Sequence, residues 1–139
     1  QAYIGLNQID KLDNFCLKRN ENYQLYQKEL KFLNLNNNFN NTEFISSMAY
    51  PVIHKNRDIM VTRLQSANVE VRPMICGSMG TQPFYVKTYG MQKLPNASII
   101  DQYGFYVPNH PGLSKTDILK ITNIIKEAAN EVDPYMQTK

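Results

Sequence analysis

One arginine, one glycine-punctuated loop and one proline-locked turn hold the residues of this chain best suited to chemistry. Arg72 closes the alternating stretch Val69-Glu70-Val71-Arg72. Its guanidinium is always charged and offers a fork of donors that fits a phosphate or a carboxylate. Gly77-Ser78-Met79-Gly80 follows, where missing side chains let the backbone come close to a ligand. It is not a nucleoside-triphosphate loop, because the spacing differs and no Lys-Ser or Lys-Thr comes after it. Asn109-His110 sits between Pro108 and Pro111, in a rigid turn expected to hold both side chains outward. Each feature has a plain structural alternative: Arg72 as a surface ion pair, the turn as only a turn. Tyr85, Tyr89, Tyr103 and Tyr106 suit the lining of a sugar or ring, and equally a packed core. No Ser/His/Asp set or close carboxylate pair stands out, so no catalytic residue is assigned.

The elements that must position these residues follow from periodicity. Leu6, Ile9, Leu12, Cys16, Tyr23, Tyr26, Leu30 and Leu33 recur every three or four residues, which predicts one long amphipathic helix over residues 1–33. At full length it would reach about 50 Å, longer than a chain of this size needs. The chain opens on Gln1 with no capping signal, which points to a piece of a longer protein. Residues 34–42 are asparagine-rich and read as a surface loop. A strand is expected over 47–53, at an edge because Pro51 cannot donate to a ladder. Asn56 is placed as the cap of a helix to about Ala67 that buries Met60, Val61, Leu64 and Ala67, with Asn68 in the left-handed region after it. Residues 69–72 read as the return strand. Pro95 opens a further helix with Ile99, Ile100 and Tyr103 on its apolar face, and Gly104 stops it. A short strand, 105–107, leads to the Pro108 turn. Ser114 and Asp117 form a capping box for a last helix over about 115–132, burying Ile118, Ile121, Ile125, Ala128 and Val132 before Asp133-Pro134 ends it.

The fold class expected is therefore mixed α/β: a small, mostly antiparallel sheet backed by helices, with a long N-terminal helix. The 139 residues read as a single domain, the long helix at 1–33 and a sheet-and-helix core at 46–132. Basic residues number 15 against 12 acidic ones, giving a net charge of +3 scattered without a dense run, so no nucleic-acid partner is expected. No apolar run approaches membrane-spanning length, and no membrane partner is expected. Cys16 and Cys76 lie far apart and lack a metal or redox spacing, so no metal is expected. Cys16 reads as a buried small hydrophobe. Reduced thiols fit a cytoplasmic protein.

Read in order, these pieces resemble the C-terminal part of the DegT/DnrJ/EryC1/StrS family, the pyridoxal-phosphate (PLP)-dependent sugar aminotransferases. QAYIGLNQIDKLDNFCLKRNENYQLY looks like the family's first helix, and NVEVRP is similar to its arginine-proline strand end. LPNASIIDQYGFYVPNHPGLS and the closing ILKITNIIKEAA helix complete the likeness over nearly the whole chain. The central RPMICGSMGTQPFY is closest to the "RPxxxGNxxxQP" pattern of the nucleotide-sugar 3-dehydrase and 3-dehydratase branch of lipopolysaccharide sugar synthesis, with Ser78 standing where that pattern has asparagine.

The resemblance implies the small domain of an aspartate-aminotransferase-type enzyme, next to a large PLP-binding domain. It implies a nucleotide-sugar as substrate, a homodimer in the full-length protein, and substrate-binding roles for Arg72, Gly77, Ser78, Asn109 and His110. PLP would be bound mainly by the large domain, whose lysine or histidine decides between transamination and dehydration. No residue here is assigned to the cofactor, and the chain alone is expected to be inactive. A stand-alone regulatory or binding module derived from this family is the alternative.

Overall fold

The computed structural model describes residues 2–33, 44–75 and 77–131. Expectations for the asparagine-rich loop, Cys76, Val132 and Asp133-Pro134 fall outside these residues. Six α-helices and three short strands follow in the order α1 (Ala2–Ile9), α2 (Leu12–Glu29), β1 (Ala49–Ile53), α3 (Arg57–Ser66), β2 (Arg72–Pro73), α4 (Pro83–Tyr89), α5 (Pro95–Tyr103), β3 (Gly104–Pro108) and α6 (Lys115–Ala129). Short 3-10 turns follow α2 and precede α4. The strands form one sheet in the order β1-β3-β2. β2 pairs antiparallel with β3, Arg72 opposite Tyr106 and Pro73 opposite Phe105. On the other side, Asn109 N–H reaches Met48 O and His54 N–H reaches Tyr103 O, the crossed order of an antiparallel pair. The mixed fold class expected from the pattern is the one observed.

The chain forms two compact units, one of Gln1–Tyr50 with Pro108–Asn123 and the other of Pro51–Val107 with Ile124–Lys139. In the first, α2 buries Tyr23, Tyr26 and, just past its end, Leu30. Tyr26 stacks on Tyr50 with centroids 4.9 Å apart, and Tyr23 tilts against the same ring at 5.1 Å. Such ring pairs add about 0.5–1.5 kcal/mol to the burial itself. Burial holds the Tyr50 phenol up at about 12, with Tyr23 adding to the effect. Burial first, and Asp117 second, push the Tyr26 phenol higher still. Tyr26 therefore stays a donor and bonds Pro108 O at 3.0 Å. The capping box forms as expected: Ser114 N–H and Oγ–H donate to Asp117 Oδ2 at 2.9 and 2.6 Å, while Asp117 N–H returns to Ser114 Oγ.

The single helix expected over 1–33 is two helices. Lys11 N–H bonds Gln8 O in a tight turn at Asp10-Lys11, which separates α1 from α2. Aspartate competes with the helical backbone for its own hydrogen bonds. No described residue of α1 is buried, so little packing offsets that preference. Leu6, Ile9 and Leu12, expected on a packed stripe, stand in the open, as do Tyr3 and Ile4. Cys16 is a half-buried free thiol rather than a core residue.

In the second unit Val52, Met60, Leu64, Phe105, Val107, Ile125 and Ala128 are buried. α3 and Asn68, whose φ is +59°, stand where expected. Val61 and Ala67 are only half-buried. Asn56 precedes α3 but makes no side-chain cap to it. Its Nδ2 donates instead to Ala128 O (2.9 Å), Ala129 O (3.3 Å) and Glu131 O (2.8 Å), closing the end of α6. The return strand expected over 69–72 shrinks to Arg72–Pro73. Downstream, Pro83 starts a helix that the pattern did not announce, because its fixed φ and missing N–H suit the first helical position. α5 is bounded by Pro95 and Gly104 as expected, yet Ile99 and Ile100 on it are exposed.

Candidate functional site

Arg72, Gly77 and Ser78 belong to the second unit, and Asn109 and His110 to the first. The short β2 strand begins on Arg72, whose side chain is open to solvent. Nε and Nη2 both donate to Glu70 Oε1, at 2.9 and 2.6 Å. That hydrogen bond and charge, with a smaller contribution from Tyr106, hold the guanidinium firmly protonated. A solvent-exposed pair of this kind contributes little, so an anion can take the place of Glu70 easily. The pair presets the direction of the arginine without locking it.

The chain then turns tightly. Gly77 N–H bonds Met74 O at 3.3 Å, and Gly77 takes φ +57°, a region that favours glycine. Ser78 is 1% exposed, and its hydroxyl finds no partner among the described residues. Its carbonyl accepts from Thr81 N–H at 3.1 Å and from Thr81 Oγ1–H at 2.8 Å. Gly80 O accepts Gln92 N–H at 3.1 Å, and a side chain at Gly80 would collide with Gln92 O. The loop is thus pinned at its base, and the segments beside it are open: Ile75, Phe84, Tyr89 and Met91 are all exposed.

The Pro108 turn is organised differently. Asn109 is fully buried, and its Nδ2 donates to Arg19 O at 3.1 Å and Ser47 O at 2.8 Å. The expectation that the turn holds this side chain outward is corrected: the Arg19 and Ser47 carbonyls draw it in. His110 is exposed. Its carbonyl accepts Asn22 Nδ2–H at 3.2 Å, and its Nδ1 accepts Gly112 N–H at 3.1 Å. An accepting Nδ1 leaves the imidazole proton on Nε2, the atom this turn presents to solvent. Glu70, two residues before Arg72, was readable as its partner because alternate strand residues share a face. Asp101, which lies against Gly77, carries no such signal in the sequence.

Among the described residues, no three His, Cys, Asp or Glu side chains gather as metal ligands, and no helix is long and apolar enough to cross a membrane.

GDP-perosamine synthase of Vibrio cholerae is 24% identical over 135 residues, covering 93% of this chain and 36% of that protein. A DegT DnrJ EryC1 StrS aminotransferase from Brucella abortus shares the fold at TM-score 0.77 and 21% identity, over 91% of this chain and 34% of that one. The E. coli GDP-4-keto-6-deoxy-D-mannose-3-dehydratase, solved with bound hydrated PLP, does so at TM-score 0.70 and 23% identity, over 87% and 33%. This chain spans about a third of the length of the relatives it matches.

PLP chemistry requires a positioned amine or its replacement, an acidic or basic partner for the pyridine nitrogen, and a phosphate cup. Every described lysine is exposed or half-buried, and no described Asp or Glu is buried. The described residues do not form that site. Residues 1–126 match the DegT/DnrJ/EryC1/StrS aminotransferase family, and the chain belongs to that family.

Proposed function

We propose that this chain is the C-terminal small domain of a longer PLP-dependent enzyme that modifies a nucleotide-sugar for surface polysaccharide synthesis. Its share of the work is to orient the substrate and to pack against the large domain, which would hold the cofactor. The observation that carries the reading is Arg72: an exposed, pre-directed guanidinium at a strand end, followed at once by a glycine turn. Between Glu70 and Asp101 the sequence has three cationic residues, Arg72, Lys87 and Lys93, and no acid. A stretch of that charge suits the diphosphate of a nucleotide-sugar.

The other residues have distinct parts. The turn at Gly77 and Ser78 brings backbone close to the ligand. His110 offers its Nε2–H to a sugar or phosphate oxygen, and Asn109 is the positioning residue that holds the turn beneath it. The exposed apolar residues of α1 supply the packing face toward the large domain, since leaving Tyr3, Ile4, Leu6 and Ile9 in water wastes burial of about 1.5–3 kcal/mol per side chain. PLP, held by the large domain, supplies the electron sink. The full-length protein acts as a homodimer in the cytoplasm, and the reaction is the 3-dehydration of a 4-keto-6-deoxy sugar or a transamination.

The test is kinetic. In the full-length protein, Arg72→Ala is expected to raise KM or lower kcat by about tenfold, equivalent to about 1.4 kcal/mol. Unchanged constants would remove Arg72 from the site.

A further inference from the structure

Asp101 is the acid nearest to the candidate loop that nothing holds. Glu70 is taken by Arg72, whereas Asp101, exposed on α5, makes no hydrogen bond or ion pair among the described residues. Its position is not accidental to the loop. The Oδ1, Cγ and Oδ2 atoms of Asp101 all lie within 3.3 Å of where a β-carbon on Gly77 would sit. Only a glycine at 77, with φ +57°, leaves room for the carboxylate there. The next residue, Ser78, has a buried hydroxyl with no partner among the described residues. An unpaired acceptor and an unpaired hydroxyl therefore flank one glycine, in the unit that also carries Arg72.

We propose that Asp101 is a further substrate-binding residue, accepting a hydroxyl of the sugar while Arg72 takes the diphosphate. An ionised carboxylate is an acceptor only and repels phosphate, so it selects the polyol end of a nucleotide-sugar. The two charges together sort the ligand end for end. The inference rests on the function proposed above and names the contact that distinguishes the sugar from its nucleotide.

Calorimetric binding to the full-length protein tests it, with guanosine, uridine and thymidine diphosphates and their hexose conjugates as probes. Asp101→Ala is expected to weaken the preferred conjugate about tenfold and to leave the free diphosphate unchanged, while Asp101→Asn, which keeps an acceptor oxygen, restores part of the loss. Unchanged affinity for the conjugate overturns the assignment alone. Equal weakening of conjugate and diphosphate also overturns it, because that is the signature of a collapsed loop. If the wild-type protein binds no conjugate in the panel, the proposed function falls and this assignment falls with it.

Discussion

Two turns in this chain each bury a polar side chain, and they treat it in opposite ways. At the Pro108 turn, Asn109 is fully buried and both Nδ2 bonds reach backbone carbonyls, leaving only Oδ1 without a partner. At the loop after Arg72, Ser78 is 1% exposed and its hydroxyl has nothing to bond. The first turn is tied down further by Tyr26 to Pro108 and Asn22 to His110. The second is held by backbone bonds and the Thr81 hydroxyl, and is surrounded by exposed Ile75, Met79 and Phe84. A turn whose buried amide donates to two backbone carbonyls is a scaffold. A turn that leaves a buried hydroxyl idle pays a folding penalty that a ligand can relieve.

The contrast breaks most readily at Asn109. Asn109→Ala removes a fully buried amide and its bonds to Arg19 O and Ser47 O, so chemical denaturation of the chain is expected to show a loss of about 3 kcal/mol. A loss under about 1 kcal/mol would mean that the turn is as loose as the Ser78 loop. Asn56→Ala comes next, at about 2 kcal/mol, because the end of α6 loses its three-carbonyl cap. A null effect there would show that the α6 terminus is satisfied by water.

His54 provides a pH axis in the same unit. Burial, with Lys55 beside it, lowers its pKa from 6.5, and its Nδ1 accepts Asn56 N–H at 3.1 Å. The unfolded chain therefore takes up the proton first. Stability is full above pH 6.5, the ordinary histidine value, and declines as pH falls below it. His54→Asn is expected to flatten that decline in a Tm-against-pH series, and an unchanged slope would assign it to other groups. The smallest effect sharpens the comparison from the other side. Ser78→Ala removes an unbonded hydroxyl, so stability is expected to hold within about 0.5 kcal/mol or to rise, while affinity for the nucleotide-sugar falls.

Features with local causes were readable in the sequence. The Ser114–Asp117 capping box, Asn68 in the left-handed region, and the Pro95 and Gly104 boundaries of α5 each depend on chemistry within a few residues. What was not readable depends on distant partners. Asn56 looks like a cap for α3, yet its acceptors lie 72 to 75 residues away. Asn109 looks like an outward-facing group, yet it bonds residues 90 and 62 positions away. The break at Asp10-Lys11 was hidden because the apolar period continues through it, and α4 was hidden because a proline fits an extended segment and a first helical turn equally well. For the candidate site, the type of Arg72 was informative alone, whereas Asp101 needed the fold to bring it against Gly77.

The central claim is that this chain orients a nucleotide-sugar for chemistry carried out beside it. The most direct measurement is turnover by the full-length protein supplied with PLP, glutamate and a 4-keto-6-deoxy nucleotide-sugar, followed by mass spectrometry. The account predicts either an aminated or a dehydrated sugar from the full-length protein, and neither from residues 1–139 alone. Absence of both products across guanosine, uridine and thymidine diphosphate sugars, or turnover by the isolated chain, would contradict it.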